Sequence, residues 1–106
     1  MLENKFQAQV IRDIKQALPG AIVLKNDSSY IQGIPDLTVL YGSKWAALEC
    51  KKDADAARRP NQTYFVEKMN DMSYAAFIYP ENKEVILDEL QLALKPEGSA
   101  LVSVGQ

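Results

Sequence analysis

The chain contains no histidine and a single cysteine, Cys50, in 106 residues. Without histidine, neither a zinc site of the usual Cys/His kind nor a His-dependent nucleophilic triad can be assembled, and one cysteine excludes an intramolecular disulfide. Any hydrolytic chemistry must then come from carboxylates, Lys, Tyr, Ser or Thr, or from a hard cation held by oxygen. Long apolar runs are missing as well: none approaches the roughly 18 to 20 residues needed to span a bilayer. The opening residues, Met-Leu-Glu-Asn-Lys, lack the apolar core of a signal peptide, so a cytoplasmic protein is expected. Nor is there an excess of positive charge. With 12 basic against 14 acidic residues the formal charge is -2, which argues against nucleic-acid binding through bulk charge alone.

What is present is the composition of one small globular domain, 47% hydrophobic and 25% charged, without internal repeats. A single domain over residues 1–106 is expected. Apolar positions at Phe6, Val10, Ile11, Ile14, Ala17 and Leu18 predict an amphipathic helix over residues 3–18, ended by Pro19-Gly20. A short β-branched strand follows at residues 21–25, then a polar loop beginning Asn26-Asp27-Ser28-Ser29. Residues 36–41 and 44–51 read as two strands around Gly42-Ser43, a pair suited to a type II′ hairpin turn. Residues 52–59 read as a loop. Pro60 opens a helix running to about Asp71 that buries Phe65, Val66, Met69 and Met72. Tyr74 to Tyr79 suits a buried strand, and residues 82–95 return to helical spacing with Val85, Ile86, Leu90 and Leu94 before Pro96 and Gly98. The tail, Ala100 to Val104, is a candidate edge strand or partner contact. The order gives an α/β fold, a mixed sheet flanked by helices.

The hairpin gathers charge. If Gly42 and Ser43 are the loop, Tyr41 pairs with Lys44, Val39 with Ala46 and Asp36 with Glu49. Directly opposed Cβ atoms lie about 4.5 to 5.5 Å apart, close enough for both carboxylates to ligate one ion. Lys51 falls on the same face, while Cys50 and Leu48 point to the apolar side. A three-residue bulged turn would shift the register by one and turn Asp36 away. Two opposed carboxylates repel and are costly to bury unless a proton or cation compensates, and two oxygen ligands with open positions describe Mg²⁺ better than a calcium cage or zinc.

Pro35-Asp36 followed by Glu49-Cys50-Lys51 resembles the PD-(D/E)XK nuclease signature, and the αβββαβ order resembles the restriction-endonuclease-like core of that superfamily. Gly33-Ile34-Pro35-Asp36-Leu37, Glu49 with Lys51, and Gln62 at the next helix resemble more closely the VRR-NUC family, related to Holliday-junction resolvases and often found as stand-alone phage proteins. The likeness covers roughly residues 3 to 80. It departs at Arg58-Arg59-Pro60-Asn61-Gln62, where a serine is expected before the glutamine, and at Asp71, where a small residue is expected.

The resemblance implies a Mg²⁺-dependent DNA endonuclease, with Mn²⁺ able to substitute, acting on branched DNA such as Holliday junctions, in the host cytoplasm if of phage origin. Asp36 and Glu49 would hold the metal with the Cys50 backbone carbonyl, and Lys51 would meet the phosphate or the attacking water. Each has a plainer reading: a polar strand end for Asp36, a surface carboxylate for Glu49, a solvated strand end for Lys51, core packing for the Cys50 thiol. By resemblance Gln62 orients water or substrate; a helix cap or solvated residue fits the sequence equally well. Glu3 would approach the metal, although Glu suits any helix N-terminus. Lys25, Lys52, Arg58 and Arg59, together with Lys44, are candidate phosphate contacts, each as readily part of an ordinary solvated loop, and Tyr30 and Tyr64 are candidate base-stacking groups, each as readily a packing aromatic. Residues 44–59 carry five basic against three acidic side chains and residues 81–97 two against five, so charge is unevenly spread. Cutting a junction symmetrically needs two sites, hence an expected homodimer. The competing class is a nucleic-acid-binding or assembly module that keeps the fold without turnover.

Overall fold

A computed structural model describes residues 2–96. The elements run α1 (Glu3–Ala17), β1 (Ile22–Lys25), β2 (Leu37–Tyr41), β3 (Lys44–Cys50), α2 (Pro60–Met72), β4 (Tyr74–Ile78) and α3 (Lys83–Leu94). The four strands form one sheet in the order β1-β2-β3-β4. β1 and β3 are antiparallel to β2, and β4 is parallel to β3 across the α2 crossover. The expected mixed α/β sheet is thus the architecture, with α3 added after the αβββαβ core. Among the described residues no helix is long and apolar enough to cross a membrane. The expected role of residues 100–104 lies outside the described residues.

Alternation along β3 decides what each face of the sheet does. Ala46, Leu48 and Cys50 join Leu37 and Val39 of β2 against Phe6, Val10 and Ile14 of α1 and Ile86, Leu87, Leu90 and Leu94 of α3, forming the larger core. The intervening Ala47 turns to the other face, where it packs with Val66 of α2 and Ala75 of β4, bordered by Trp45, Met69 and Phe77. Glu49 shares this second face by the same period of two.

Three expected core positions are corrected. Phe65 is only half-buried, and Met72 is exposed because it stands about 120° from Val66 around the helix, where the chain turns into β4. Val85 is exposed too, for the buried stripe of α3 runs through Ile86 and Leu87, with Val85 about 100° off its edge. Four strand ends are one residue shorter than expected: Ala21, Asp36, Lys51 and Tyr79 fall just outside β1, β2, β3 and β4.

The hairpin register is the expected one, Tyr41 opposite Lys44 and Leu37 opposite Leu48. Gly42 has φ +61° and no non-glycine residue among those described has positive φ, so the turn reverses at its first central residue, as a type II′ turn does.

Candidate active site

Beyond the Leu37–Leu48 pair the β2–β3 ladder is continued by side chains. The Asp36 N–H donates to Glu49 Oε1 at 3.2 Å, and the Cys50 N–H donates to Asp36 Oδ2 at 2.8 Å. Pro35, buried and without an N–H, interrupts the backbone pairing just before this point. The two carboxylates therefore meet where the register places them, Glu49 3% exposed and Asp36 half-buried.

Lys51 follows on the same face, 7% exposed, its Nζ 3.9 Å from Glu49 Oε2. Its shorter bond goes to Gln62 Oε1 at 2.8 Å, and Gln62 Nε2 donates to Glu49 Oε2 at 3.1 Å. Gln62 Oε1 also accepts the N–H of Arg59, the N-cap of α2, at 3.1 Å. Of the sequence readings of Gln62 the helix cap is met, and the same amide links the ammonium to the carboxylate. No buried side-chain nitrogen or oxygen among the described residues is left without a partner.

The electrostatics follow from burial. Desolvation, then the nearby Asp36 carboxylate, pushes Glu49 up to about 7 against the opposing pull of Lys51. Desolvation raises Asp36 as well, with the Cys50 N–H bond pulling the other way and Glu3 adding to the rise. The Cys50 thiol is fully buried in the larger core and driven well above the ordinary thiol range by desolvation, so it is packing and no nucleophile.

A cleft of about 650 Å³ opens over these groups. Glu3 of α1 lines it beside Asp36, Glu49 and Lys51, with Gln62, Asn61 and Arg59 on the α2 side and Ser28 and Ser29 on the loop side. Glu3 does not make a tight cluster with the pair: among the described residues, no three Asp, Glu or Cys side chains gather as a ready-made metal site. Of the expected phosphate contacts, Arg59 alone lines this cleft. Lys52 lines a neighbouring groove, Lys25 and Lys44 stand exposed outside the lining, and Arg58 lies over the Phe77 ring at 4.1 Å. Tyr30 is 83% exposed and borders a separate pocket, and Tyr64 packs edge-on against Phe65 at 5.1 Å.

Two residues that sequence reasoning passed over shape the site. Asn26 pins both sides of Asp36: its Nδ2 donates to Pro35 O at 2.9 Å and its backbone N–H to Asp36 O at 2.8 Å. Thr38 Oγ1 fixes the amide by a second bond at 2.8 Å. Asn61 packs so closely on Gly33, which has φ +89°, that a Cβ there would lie 2.8 Å from the Asn61 backbone carbon. Asn26 stood in the sequence as one member of a polar loop, and only its position just after a strand hinted at a structural bond.

A hard divalent cation suits this donor set. The Asp36 and Glu49 carboxylates line one cleft, near enough for Asp36 to push Glu49 up, and with Glu3 the cleft holds three acidic groups against Lys51 and Arg59. No family model and no curated protein matches the chain by sequence. By structure it is similar to a VRR_NUC domain protein, with a TM-score of 0.64 over 89% of this chain and 88% of that one at 17% identity. It is also similar to Archaeoglobus fulgidus Hjc, a Holliday junction resolvase from an archaeal hyperthermophile, with a TM-score of 0.50 over 72% and 67% of the two chains at 14% identity. At such identities the likeness is one of fold, and the chain has the VRR-NUC and resolvase-like nuclease fold.

Proposed function

We propose that the protein is a Mg²⁺-dependent endodeoxyribonuclease, with Mn²⁺ as a substitute, that hydrolyses phosphodiester bonds in branched DNA such as Holliday junctions and acts as a homodimer in the cytoplasm. The observation that carries the reading is the pairing of Asp36 with Glu49 beside Lys51, on a nuclease fold and inside a polar cleft. Asp36 and Glu49 would hold the ion, helped by the Cys50 carbonyl and by Glu3 from α1. Bound there, the ion would polarise the scissile phosphate and make the attacking water more acidic.

The remaining work falls to the chain. Lys51 supplies the positive charge that offsets the phosphate as negative charge builds on it. Gln62 keeps that ammonium from collapsing onto Glu49, because its Oε1 takes the shorter bond at 2.8 Å while the direct Lys51–Glu49 separation stays at 3.9 Å. Glu49, raised to about 7, holds a proton near neutral pH that it would have to give up to ligate a cation. Symmetric incision of a junction then follows from two such clefts in a dimer.

The test is incubation with labelled four-way junction, flap, duplex and single-stranded DNA in Mg²⁺, Mn²⁺ or EDTA. Cleavage of the junction in either metal, lost in EDTA and in Lys51→Ala and Asp36→Asn, is expected. Binding without cleavage in any metal would leave a non-catalytic module instead, and cleavage at the wild-type rate in both variants would refute the site.

A further inference from the structure

We infer that a second groove, running along α1 from the mouth of the cleft, is a phosphate track that carries one flank of the DNA substrate away from the carboxylates. The inference rests on the nuclease reading for its substrate and on separate residues for its geometry. The groove has a volume of about 920 Å³ and is lined by Leu2, Lys5, Gln9, Arg12, Lys52 and Asp53. It adjoins the candidate active site at two chain steps. Leu2 lines the groove where Glu3 lines the cleft, and Lys52 lines the groove where Lys51 lines the cleft.

The cations of the groove are free, as are Lys25, Lys44 and Lys68 elsewhere, whereas three others are engaged. Lys83 pairs with Asp13 at 2.7 Å, Lys51 is held by Gln62, and Arg58 lies on Phe77. Among the described residues, Lys5, Arg12 and Lys52 have no carboxylate within 4.0 Å, and all three are exposed. Asp53, the one acid of the lining, accepts the N–H of Asp55 at 2.9 Å. In a chain of net charge -2, a groove of three cations and one acid is locally basic and suits an anion; what remains is that anion's geometry.

Spacing supplies it. Lys5, Gln9 and Arg12 follow at i, i+4 and i+7, so they line one face of α1. Seven residues of helix rise about 10 Å, several times the roughly 3.4 Å of duplex axis that each phosphate of one strand occupies. Lys5 and Arg12 can thus meet different phosphates of one strand, with Lys52 at the end nearest the site. Such contacts set the direction of the strand without reading its sequence.

A fluorescein-labelled 20-base-pair duplex is titrated in EDTA between about 50 and 200 mM KCl, with the full chain and with Lys5→Gln/Arg12→Gln/Lys52→Gln. The slope of log K against log salt should flatten by about 2 to 3, close to 0.9 for each phosphate that the variant no longer neutralises. Lys68→Gln/Lys95→Gln, which removes two exposed cations elsewhere, should keep the wild-type slope; circular dichroism checks that every variant is folded. An unchanged slope in the triple variant, or equal flattening in the control, overturns the track. Cleavage is assayed separately on the wild type. Metal-dependent cleavage with no slope difference removes the track and leaves the nuclease, whereas a slope difference without cleavage leaves a DNA-binding track and removes the nuclease.

Discussion

Glu49 accepts the N–H of Asp36, and Asp36 accepts the N–H of Cys50, the residue after Glu49. Two carboxylates stand in for the main-chain acceptors that an ordinary antiparallel pair would use there. They are held in place by the sheet's own geometry, while their charges repel. Removing one charge should relieve that repulsion and remove the cation site together. In EDTA at pH 8, Asp36→Asn should gain up to about 1 kcal/mol, a rise of about 4 to 8 °C in Tm, while its metal-dependent cleavage falls at least about 100-fold. Scanning calorimetry and the junction assay measure the two. A fall in Tm with cleavage retained would contradict both parts.

The raised pKa of Glu49 gives the metal-free protein a defined pH response. Folding lifts this carboxyl from 4.5 to about 7, so between those values the folded state binds more protons than the unfolded chain and stability must fall as pH rises. Urea unfolding in EDTA should show a loss of no more than about 3 kcal/mol between pH 4.5 and 7, levelling off above. Asp36, shifted the same way, contributes with the same sign. Glu49→Gln should flatten the profile. If the ion binds the deprotonated pair as proposed, added Mg²⁺ should reverse the slope, because it stabilises only where that form exists.

Gln62 does two things that substitution can separate. Gln62→Ala removes the helix cap and both site bonds, and should cost about 1 to 2 kcal/mol along with most of the activity. Gln62→Glu keeps an oxygen for the Arg59 N–H and for Lys51 but cannot donate to Glu49. At pH 6, where Glu49 keeps its proton, its stability should stay above that of Gln62→Ala, while turnover remains low. Equal turnover in Gln62→Glu and the wild type would limit the residue to capping.

Gly33 and Gly42 both have positive φ, at +89° and +61°, but only Gly33 meets another element. Gly42→Ala should therefore cost about 1 kcal/mol, the backbone term alone. Gly33→Ala adds a methyl 2.8 Å from the Asn61 backbone and should lose clearly more, about 2 to 4 kcal/mol, with cleavage reduced because the loop before Asp36 leans on the start of α2. Denaturant midpoints of the two variants provide the comparison.

Much of this was legible because it is local. Pro19-Gly20 and Pro60 mark helix ends that the structure places within a residue, and Gly42-Ser43 fixes a register that carries outward to Asp36 and Glu49 by counting. The stripe of α1 reads straight into its buried face, Phe6, Val10 and Ile14. Helical burial was less legible near the ends of α2 and α3, where Met72 and Val85 are apolar but exposed. Periodicity marks a face; whether another element reaches far enough to cover it is settled elsewhere.

By itself, the sequence determined the order of elements, the hairpin and the meeting of two acids with an amine, since each follows from periods of two or 3.6 residues and from one two-residue turn. Only the tertiary structure decided that the Gln62 amide would serve cap and cleft at once, that Asn26 would clamp the carbonyls beside Asp36, and that Lys5 and Arg12 would share a groove with Lys52. Where these partners belong to different elements, they stand between 9 and 47 residues apart in sequence. The contacts between them exist only after the helices have packed on the sheet, and no repeat in the chain encodes the distance at which one element comes to rest against another.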